Sequence, residues 1–579
     1  MTASPTVLAS GSRAADGVSA LDRRLRSALI LVVCLLAFLP GIFVLPPFDR
    51  DEGRFAQASK QMLETGDLVD IRFQDEARHK KPIGIYWLQS AAVTVAGAAT
   101  GIKEPGIWAY RIPSVLGATL AAVLSGWVAA SLFGARAGLL AGVLMAGTLV
   151  LGVEAHLAKT DAALLAAIVL AQGVLAVAYM RRDGHLPGGG TAPIGPGLAM
   201  LFWTAVGVAI LIKGPIVALV SGGTVAVLAA MDRRAGWLRQ LRPQAGVPLA
   251  LLIVLPWLVA ITVVTKGAFF QESVGQDFAG KLFGEQAAHI FWPGYYVLTF
   301  PLSFWPSAAL ALFAAPWVWL HRRSPAVRFC LAWIVPTWIV FELVPVKLLH
   351  YVLPTYPAIA ALVAAALLAG YDRADGRPGK WLFIAGCVLA LLPAATLSLA
   401  FVAAPWWYEE RIDWVAVAVV PIVLAAVAYG LRQVWFVRPM RATASLTAAA
   451  LVLYATAYQR ALPDFETMWP SRGIAEAFAA VNPPICPDTR LITAGYSEPS
   501  LVFLTGTDTR LVRDGALAAE TLVATGPCGV AAIEERQLAA FHQRLDALGE
   551  AAFGHAIVTG INYSNGRWVF VHIFTLDAP

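Results

Sequence analysis

The sequence has few charged residues for its length. Of its 579 residues, 14% are charged and 58% are hydrophobic, and the mean hydropathy is +0.67. A soluble domain typically carries about 25% charged residues. So small a polar fraction excludes a soluble globular protein, a disordered chain and a coiled coil, because polar groups could not cover the folded surface. The composition therefore predicts a polytopic α-helical membrane protein.

Cysteine is also scarce, with five residues in the whole chain, which excludes a disulfide scaffold. Cys34, Cys330 and Cys387 fall in apolar stretches, where a cysteine serves as a small apolar side chain. Cys486 and Cys528 fall in a more polar C-terminal region. They are candidates for a disulfide if that region faces an oxidising compartment.

Long apolar runs fill the chain up to residue 460. Because a helix needs roughly 20 apolar residues to cross the hydrocarbon, we predict about thirteen spans. They lie near residues 27–45, 111–133, 136–152, 162–180, 197–212, 215–231, 247–265, 295–320, 327–344, 352–370, 381–403, 414–431 and 442–460. The apolar stretch 83–99 is short, and we place it at the membrane interface or in a re-entrant element.

Arginine sorts to one side of this topology. With residues 1–26 as a cytoplasmic tail, the predicted inner loops hold the arginine clusters, as the positive-inside rule expects. The membrane domain then covers residues 27–460, with outer loops at 46–110 and 266–294. An odd number of spans places residues 461–579 outside the cell membrane.

Residues 461–579 have a different pattern. Strand-like runs at Arg490–Ala494, Leu501–Leu504 and Trp568–Phe574 accompany a helical run at 514–550. This mixture predicts a small α/β domain.

Nine of the ten lysines lie on the side that the topology rule disfavours. Only Lys380 is predicted inside. The outer lysines are Lys60, Lys80, Lys81, Lys103, Lys159, Lys213, Lys266, Lys281 and Lys347. Because an ammonium is a compact charge suited to phosphate, we infer an anion-binding chamber at the outer face. Contact with lipid headgroups is the simpler alternative for any single lysine.

The first outer loop holds three carboxylates in four residues, at Asp49, Asp51 and Glu52. Asp49 is positioned to cap a helix over residues 51–64, and that role would account for one acid. Paired carboxylates at a membrane surface also serve as a general base, as acceptors for sugar hydroxyls or as metal ligands.

Other outer helix ends repeat this pattern of ionisable groups next to apolar runs. Lys81-Pro82 is followed by Tyr86-Trp87, an aromatic pair suited to the interface or to stacking on a sugar. The further groups are Glu154 to Asp161, Lys213-Gly214-Pro215 and Lys347 to Pro354. Ionisable residues at such depth are costly, and several on one face indicate function.

These motifs resemble the ArnT-like and protein O-mannosyltransferase-like membrane glycosyltransferases of the GT-C class. The resemblance is carried by residues 48–56, Lys81-Pro82, Tyr86-Trp87, Asp161, Lys213-Gly214-Pro215 and residues 347–354, in that order. It implies a GT-C fold of about thirteen membrane helices, juxtamembrane helices in the first outer loop and a C-terminal periplasmic domain. It also implies a bacterial inner-membrane location with the active site facing the periplasm.

The resemblance also implies roles for individual residues. Asp51 and Glu52, with Asp49 nearby, match the acidic pair of the first loop, and Asp161 matches an acid that lines the cavity. The phosphate of the donor would be held by Lys81 and Lys281, with Lys213 and Lys347 as further candidates. Substrate contacts would come from Arg54, Tyr86, Trp87, His350 and Tyr351.

The chain departs from the family pattern before the Lys-Pro motif, where Lys80 stands at a position that often holds glutamate, a metal ligand. No cofactor is therefore implied with certainty, and a divalent metal stays open. His289 is a weak candidate ligand, because a lone loop histidine is more often structural.

The expected reaction is transfer of an aminoarabinose-like pentose, a hexose or a uronic acid from undecaprenyl phosphate to lipid A or a lipopolysaccharide core, with inversion. No glycine-rich phosphate loop follows a strand, which disfavours a nucleotide-sugar donor. Two alternatives stay open. The acceptor can be a protein, a polysaccharide or another envelope lipid, or the chain can be a transporter or flippase of lipid-linked sugars.

Overall fold

The computed structural model describes residues 20–182, 184–185, 192–278, 280, 290–370, 378–481, 486 and 489–576. Helices dominate up to residue 481. Their bounds are α1 Ala20–Phe38, α2 Asp51–Thr65, α3 Gly84–Thr100, α4 Ile107–Phe133, α5 Ala135–Ala146, α6 Leu149–Ala155, α7 Asp161–Arg181, α8 Pro196–Lys213, α9 Gly223–Asp232, α10 Pro243–Thr265, α11 Ala268–Phe270, α12 Tyr295–Ser303, α13 Ala308–His321, α14 Pro325–Leu343, α15 Tyr356–Ala369, α16 Lys380–Glu409, α17 Trp414–Trp435, α18 Pro439–Thr456 and α19 Pro470–Val481.

Eight of the described helices are long and apolar enough to cross a membrane, and the number rises to ten if two bent pairs each form one span. The pairs are α5 with α6, bent by 61°, and α12 with α13, bent by 119°. Each predicted span overlaps a helix, and the stretch predicted at 83–99 is helix α3. The apolar helix bundle is therefore confirmed.

Helix α7 lies at the centre of the bundle. Almost all of its side chains are buried, including polar Gln172, which donates to Thr224 Oγ1 at 2.8 Å. Helix α4 packs closely against it, and a Cβ on Gly117 would lie 2.6 Å from the backbone nitrogen of Ala163. This close packing fixes Asp161, the first residue of α7, relative to the outer loops.

The C-terminal part forms a mixed sheet covered on both faces by helices. Parallel strands β4, β3 and β5 continue into the antiparallel pair β7 and β6. The elements after α19 are β3 Arg490–Ala494, α20 Pro499–Thr505, β4 Arg510–Val512, α21 Gly515–Thr525, β5 Gly529–Glu534, α22 Leu538–Leu548, β6 Phe553–Asn562 and β7 Arg567–Thr575. Two short strands, β1 Arg72–Phe73 and β2 Glu76–Ala77, pair in the first outer loop.

Two local predictions in this part were wrong. Residues Leu501–Leu504 form helix α20 and not a strand, because Pro499 occupies the first helical turn and Gly506 ends the helix. The run 514–550 is two helices separated by strand β5.

The disulfide between Cys486 and Cys528 is present, with a Cα–Cα distance of 5.6 Å.

Helix α20 joins the sheet unit to the first outer loop. A Cβ on Gly53 of α2 would lie 2.6 Å from the backbone nitrogen of Ser500, so the two helices touch at their backbones. Gln57 donates to Thr507 Oγ1 at 2.7 Å. Tyr110 packs edge-on against Phe503 with ring centroids 5.2 Å apart. The sheet unit therefore rests on the loop that carries the acidic residues.

Candidate active site

Residues from four separate chain segments line a cavity of about 150 Å³ at one end of the bundle. We call it the lysine cavity. Its polar lining is Lys81, Asp161, Lys213, His350 and Tyr351. The rest of the wall is apolar, from Leu164, Leu165, Pro215, Ile216, Leu219, Val340, Phe341, Val344, Leu353 and Pro354. Five side chains singled out in the sequence are therefore brought together.

Asp161 is the centre of the polar lining. Its Oδ1 accepts from Lys213 Nζ at 2.5 Å and lies 3.5 Å from His350 Nε2. Its other oxygen lies 3.9 Å from Lys159 Nζ. Because Asp161 is 8% exposed, these three side chains replace the water that its carboxylate would otherwise bind. Asp161 therefore holds Lys213 in place at the cavity wall.

Glu154 is a second buried carboxylate of the site, and it was not predicted as a site residue. Its Oε1 lies 2.9 Å from Lys159 Nζ and 3.4 Å from His350 Nδ1. His350 thus bridges two carboxylates through its two ring nitrogens. The sequence signal was the seven-residue spacing of Glu154 and Asp161 across one short outer turn.

Lys159 is held as an ammonium by these carboxylates. Burial lowers the pKa of Lys159, but Glu154 and Asp161 outweigh burial and keep the pKa above its ordinary value. The cluster therefore alternates two acids with two lysines and adds little net charge of its own. Lys81 adds a further ammonium to the cavity wall, and an ammonium is well suited to binding phosphate.

Glu154, Asp161 and His350 are the described residues that best resemble a metal site, since their ligand atoms lie within 4.8 Å of one another. However, Lys159 and Lys213 already bind the two carboxylates at 2.9 and 2.5 Å. A divalent cation would have to displace both ammonium groups. The donor set does not fit a metal as it stands, and the candidate ligand His289 lies outside the described residues, as does Lys281.

Tyr351 covers one side of the lysine cavity. Lys213 Nζ lies 5.8 Å from the centre of its ring, within the range of a cation–π contact. The ring of Phe341 backs Tyr351 at 5.7 Å. Tyr351 therefore presents an aromatic face beside Lys213.

Lys347 lies elsewhere, so its predicted contact with phosphate is not supported. The side chain is 1% exposed, and Nζ donates to the carbonyls of Phe291 at 3.0 Å and Val344 at 2.6 Å. Burial lowers the pKa of this lysine. Its ammonium serves to join two loop segments, where Ile290 also bridges to Val346.

A second cavity, of about 450 Å³, adjoins the first outer loop. We call it the acidic cavity. Its polar lining is Asp49, Asp51, Glu52, His156, Lys159 and Tyr563, and most of the remaining wall is apolar. Lys159 belongs to this lining and also pairs with Asp161 of the lysine cavity. The two cavities therefore approach each other at Lys159.

The two adjacent acids of α2 have different environments. Asp51 is exposed and lines the acidic cavity. Glu52 is 1% exposed and accepts hydrogen bonds from Arg111, from Phe48 N at 2.8 Å and from Ala158 N at 2.7 Å. Asp51 is therefore the acid that is available to a ligand, and Glu52 fixes the loop around it.

Asp49 does not cap α2, contrary to the prediction. The residue at the cap is Arg50, with φ of 60°, and no side chain caps the helix. Asp49 Oδ1 instead accepts from Ser500 and Ser471, and its backbone N–H donates to the Tyr563 hydroxyl. Burial raises the pKa of Asp49 to about 7, although the bond from Ser500 opposes this.

The aromatic pair of α3, Tyr86 and Trp87, lines neither of the two cavities. Tyr86 is fully buried against Phe55, with ring centroids 5.4 Å apart, so its ring is covered in this structure. Trp87 is 38% exposed and donates to the Leu68 carbonyl at 2.8 Å, away from both cavities. Arg54 is half-buried, and burial together with nearby Arg78 lowers its pKa.

The chain is similar to several known glycosyltransferases. Residues 80–259 match the family described as dolichyl-phosphate-mannose-protein mannosyltransferase. The undecaprenyl phosphate-alpha-4-amino-4-deoxy-L-arabinose arabinosyl transferase of Aeromonas salmonicida is 29% identical over 375 residues. That alignment covers 63% of this chain and 65% of the relative, so the chain spans somewhat less than two thirds of its length. The enzyme of the same name from Pseudomonas aeruginosa strain LESB58 is 26% identical, covering 75% and 76% of the two chains.

Solved structures give the fold. The crystal structure of ArnT from Cupriavidus metallidurans bound to undecaprenyl phosphate superimposes with a TM-score of 0.71 at 19% identity, covering 95% of this chain and 97% of that one. The Archaeoglobus fulgidus oligosaccharyltransferase superimposes with a TM-score of 0.51 at 13% identity, covering 93% and 70%. The chain therefore has the GT-C fold, as the sequence motifs predicted.

Proposed function

We propose that this chain, which is similar to ArnT-like GT-C glycosyltransferases, transfers a sugar from a polyprenyl-phosphate donor to lipid A or a lipopolysaccharide core. The observation that carries the proposal is the lysine cavity, where Lys81 and Lys213 stand at the polar end of an otherwise apolar wall. A polyprenyl phosphate matches this arrangement, because it has one anionic group at the end of an apolar chain. The names of the similar arabinosyl transferases support undecaprenyl phosphate as the carrier.

In the proposed reaction the bond between the anomeric carbon and the phosphate oxygen breaks, and a bond from the acceptor oxygen to that carbon forms. The polyprenyl phosphate leaves with increasing negative charge. Lys81 and Lys213 would stabilise that charge more in the transition state than in the bound donor. Asp161, which holds Lys213 at 2.5 Å, positions this ammonium before the substrate arrives.

Asp51 is the proposed acid on the acceptor side. It is exposed in the acidic cavity, whereas Glu52 already has four hydrogen-bond donors. If the acceptor is a lipid phosphate it is already anionic, and Asp51 would bind amino or hydroxyl groups of the substrates. If the acceptor is a hydroxyl, Asp51 would take its proton. Displacement in one step inverts the anomeric centre.

The proposed topology has about thirteen spans in the bacterial inner membrane. Arginine clusters lie inside, and the lysines of the cavity lie at outer helix ends. The sheet unit then lies in the periplasm, where an oxidising environment suits the Cys486–Cys528 disulfide. A donor confined to the bilayer would enter the lysine cavity sideways from the lipid.

A second acceptor class is favoured by one observation. Residues 80–259, which include Lys81, Asp161 and Lys213, match a family of protein mannosyltransferases. This segment would serve the donor in both cases. Transfer to protein or another envelope glycan is therefore the alternative, with the same phosphate chemistry.

Mass spectrometry of intact lipid A and core tests the acceptor. Three strains are compared, one lacking this protein, one expressing it and one expressing Lys81→Ala. We expect a mass increase of one sugar in the second strain alone. A different result would identify protein as the acceptor. In that case lipid A and core are unchanged in all three strains, and label from a polyprenyl-linked sugar appears in the protein fraction.

A further inference from the structure

A groove of about 550 Å³ lies between α16 (Lys380–Glu409) and α17 (Trp414–Trp435), outside the site described above. Its lining is Lys380, Phe383, Ile384, Cys387, Leu391, Ala428, Leu431, Arg432, Trp435 and Phe436. From the lysine cavity the chain runs through α15 before it reaches Lys380. The groove therefore opens at the opposite end of the bundle, which the proposed topology places at the inner leaflet.

The two cations of the groove lie at the same end because the helices are antiparallel. Lys380 is the first residue of α16, and Arg432 lies in the last turn of α17. The rings of Phe383 and Trp435 join the two helices at 4.9 Å. The Arg432 guanidinium lies 5.4 Å from the centre of the Phe436 ring, which limits its freedom.

Both cations are exposed, and within the described part of the chain neither has a carboxylate at ion-pair distance. The first turn of α16 also holds no acidic residue. A lysine at the positive end of a helix dipole is unfavourable unless an anion is near. The rim of the groove, formed by Lys380 and Arg432, is therefore suited to an anion.

Below the rim the groove is apolar. Ile384, Cys387 and Leu391 follow one face of α16, opposite Ala428 and Leu431 of α17. Cys387 lies seven residues after Lys380, about 10 Å further along the helix axis at 1.5 Å per residue. This depth corresponds to the first part of an acyl chain below a phosphate.

We propose that this groove binds an anionic glycerophospholipid of the inner leaflet. The phosphate contacts Lys380 and Arg432, and one acyl chain follows the apolar face past Cys387. A pair of cations at the mouth of an apolar groove between membrane helices is the chemistry that recognises such a headgroup. The site does not depend on the proposed transferase reaction.

Native mass spectrometry of the purified full-length protein in detergent tests the site, with phosphatidylglycerol and phosphatidylcholine as probes. We expect phosphatidylglycerol to be retained more strongly by wild type. The double substitution Lys380→Ala with Arg432→Ala should weaken its retention about 10- to 30-fold. The matched control is Arg234→Ala with Arg239→Ala, which removes two exposed arginines outside the groove and should change retention little.

Cys387 provides a readout that needs no substitution. Cys34 and Cys330 are buried, and Cys486 and Cys528 form a disulfide, so Cys387 is the free cysteine open to a reagent. Phosphatidylglycerol should slow its reaction with an apolar maleimide, and phosphatidylcholine should not. Equal retention by the double variant and wild type, or equal protection of Cys387 by the two lipids, would overturn the proposal.

Discussion

Glu52 and Arg111 form a fully buried, bidentate ion pair between the first outer loop and helix α4. Arg111 Nε donates to Glu52 Oε1 at 2.8 Å and Nη2 donates to Oε2 at 2.9 Å. The guanidinium also donates to the carbonyls of Leu45 and Pro46. This network fixes the chain immediately before and after Asp49 and sets the position of Asp51 in the acidic cavity.

The neighbouring substitutions Glu52→Gln and Asp51→Asn should affect different properties. The first should lower stability, and the second should lower transfer. Glu52→Gln leaves the Arg111 charge buried and unpaired, so we expect a loss of about 3–5 kcal/mol in the free energy of unfolding. Asp51→Asn should leave stability within about 0.5 kcal/mol but lower transfer on the order of 100-fold. Thermal unfolding in detergent and a transfer assay separate the two effects.

Equal stability of Glu52→Gln and wild type, with lost transfer, would contradict this division of roles. Glu52 would then act on the substrate directly.

Lys81 should be needed for the donor and not for the fold. Lys81→Ala should lower kcat on the order of 100-fold or more, because the charge of the leaving phosphate loses a donor. Lys81→Arg keeps the charge and should recover part of the activity. The control is Lys103→Ala, an exposed lysine of the same loop that lines neither cavity. Loss of transfer in both alanine variants would indicate a general charge effect.

Asp161 and Lys213 should act as one unit. Since Lys213 Nζ lies 2.5 Å from Asp161 Oδ1, Lys213→Gln removes the positioned ammonium and Asp161→Asn removes the carboxylate that positions it. The double variant should therefore lose about as much kcat as the more affected single variant. A double-mutant cycle measured on kcat checks this. Multiplied losses would mean that the two residues act independently.

Asp49 should make stability depend on pH. Its folded pKa of about 7 lies above the ordinary value of 3.8, because burial disfavours the carboxylate. The folded state therefore binds a proton more tightly than the unfolded state. Its stabilising effect is complete below pH 3.8 and is lost as pH rises through 7.

The substitution Asp49→Asn removes this titration and keeps an oxygen that can accept from Ser500. The Tm of the variant should exceed that of wild type at pH 8 by on the order of a few °C, and the difference should shrink at pH 5. Thermal unfolding of both proteins across this range is the measurement. If the variant and wild type differ in Tm by the same amount at pH 5 and pH 8, a group other than Asp49 causes the pH dependence.

The helix bundle and most of the lysine cavity follow from local sequence. Asp161, Lys213 and His350 stand at the ends of long apolar runs, so their place at a membrane surface depends on hydropathy alone. Strand β3 was likewise predicted from its short β-rich pattern. These features need no knowledge of which segments pack together.

Features that depend on tertiary contacts were missed. Tyr86 is buried, with Phe55 packed against its ring. Lys347 donates hydrogen bonds to two backbone carbonyls because its loop folds against residues 290–291. Tyr563 reaches Asp49 across more than 500 residues of chain. An arginine early in an apolar run was the one available signal for the Arg111 pair, since such a charge requires a partner.

The measurement that tests the central claim most directly is release of undecaprenyl phosphate by the purified, reconstituted protein. Undecaprenyl-phosphate sugars are supplied with lipid A, and both products are quantified by mass spectrometry. We predict equal amounts of free undecaprenyl phosphate and glycosylated lipid A with wild type, and on the order of 100-fold less of both with Lys81→Ala. Equal turnover by wild type and folded Lys81→Ala would contradict the account.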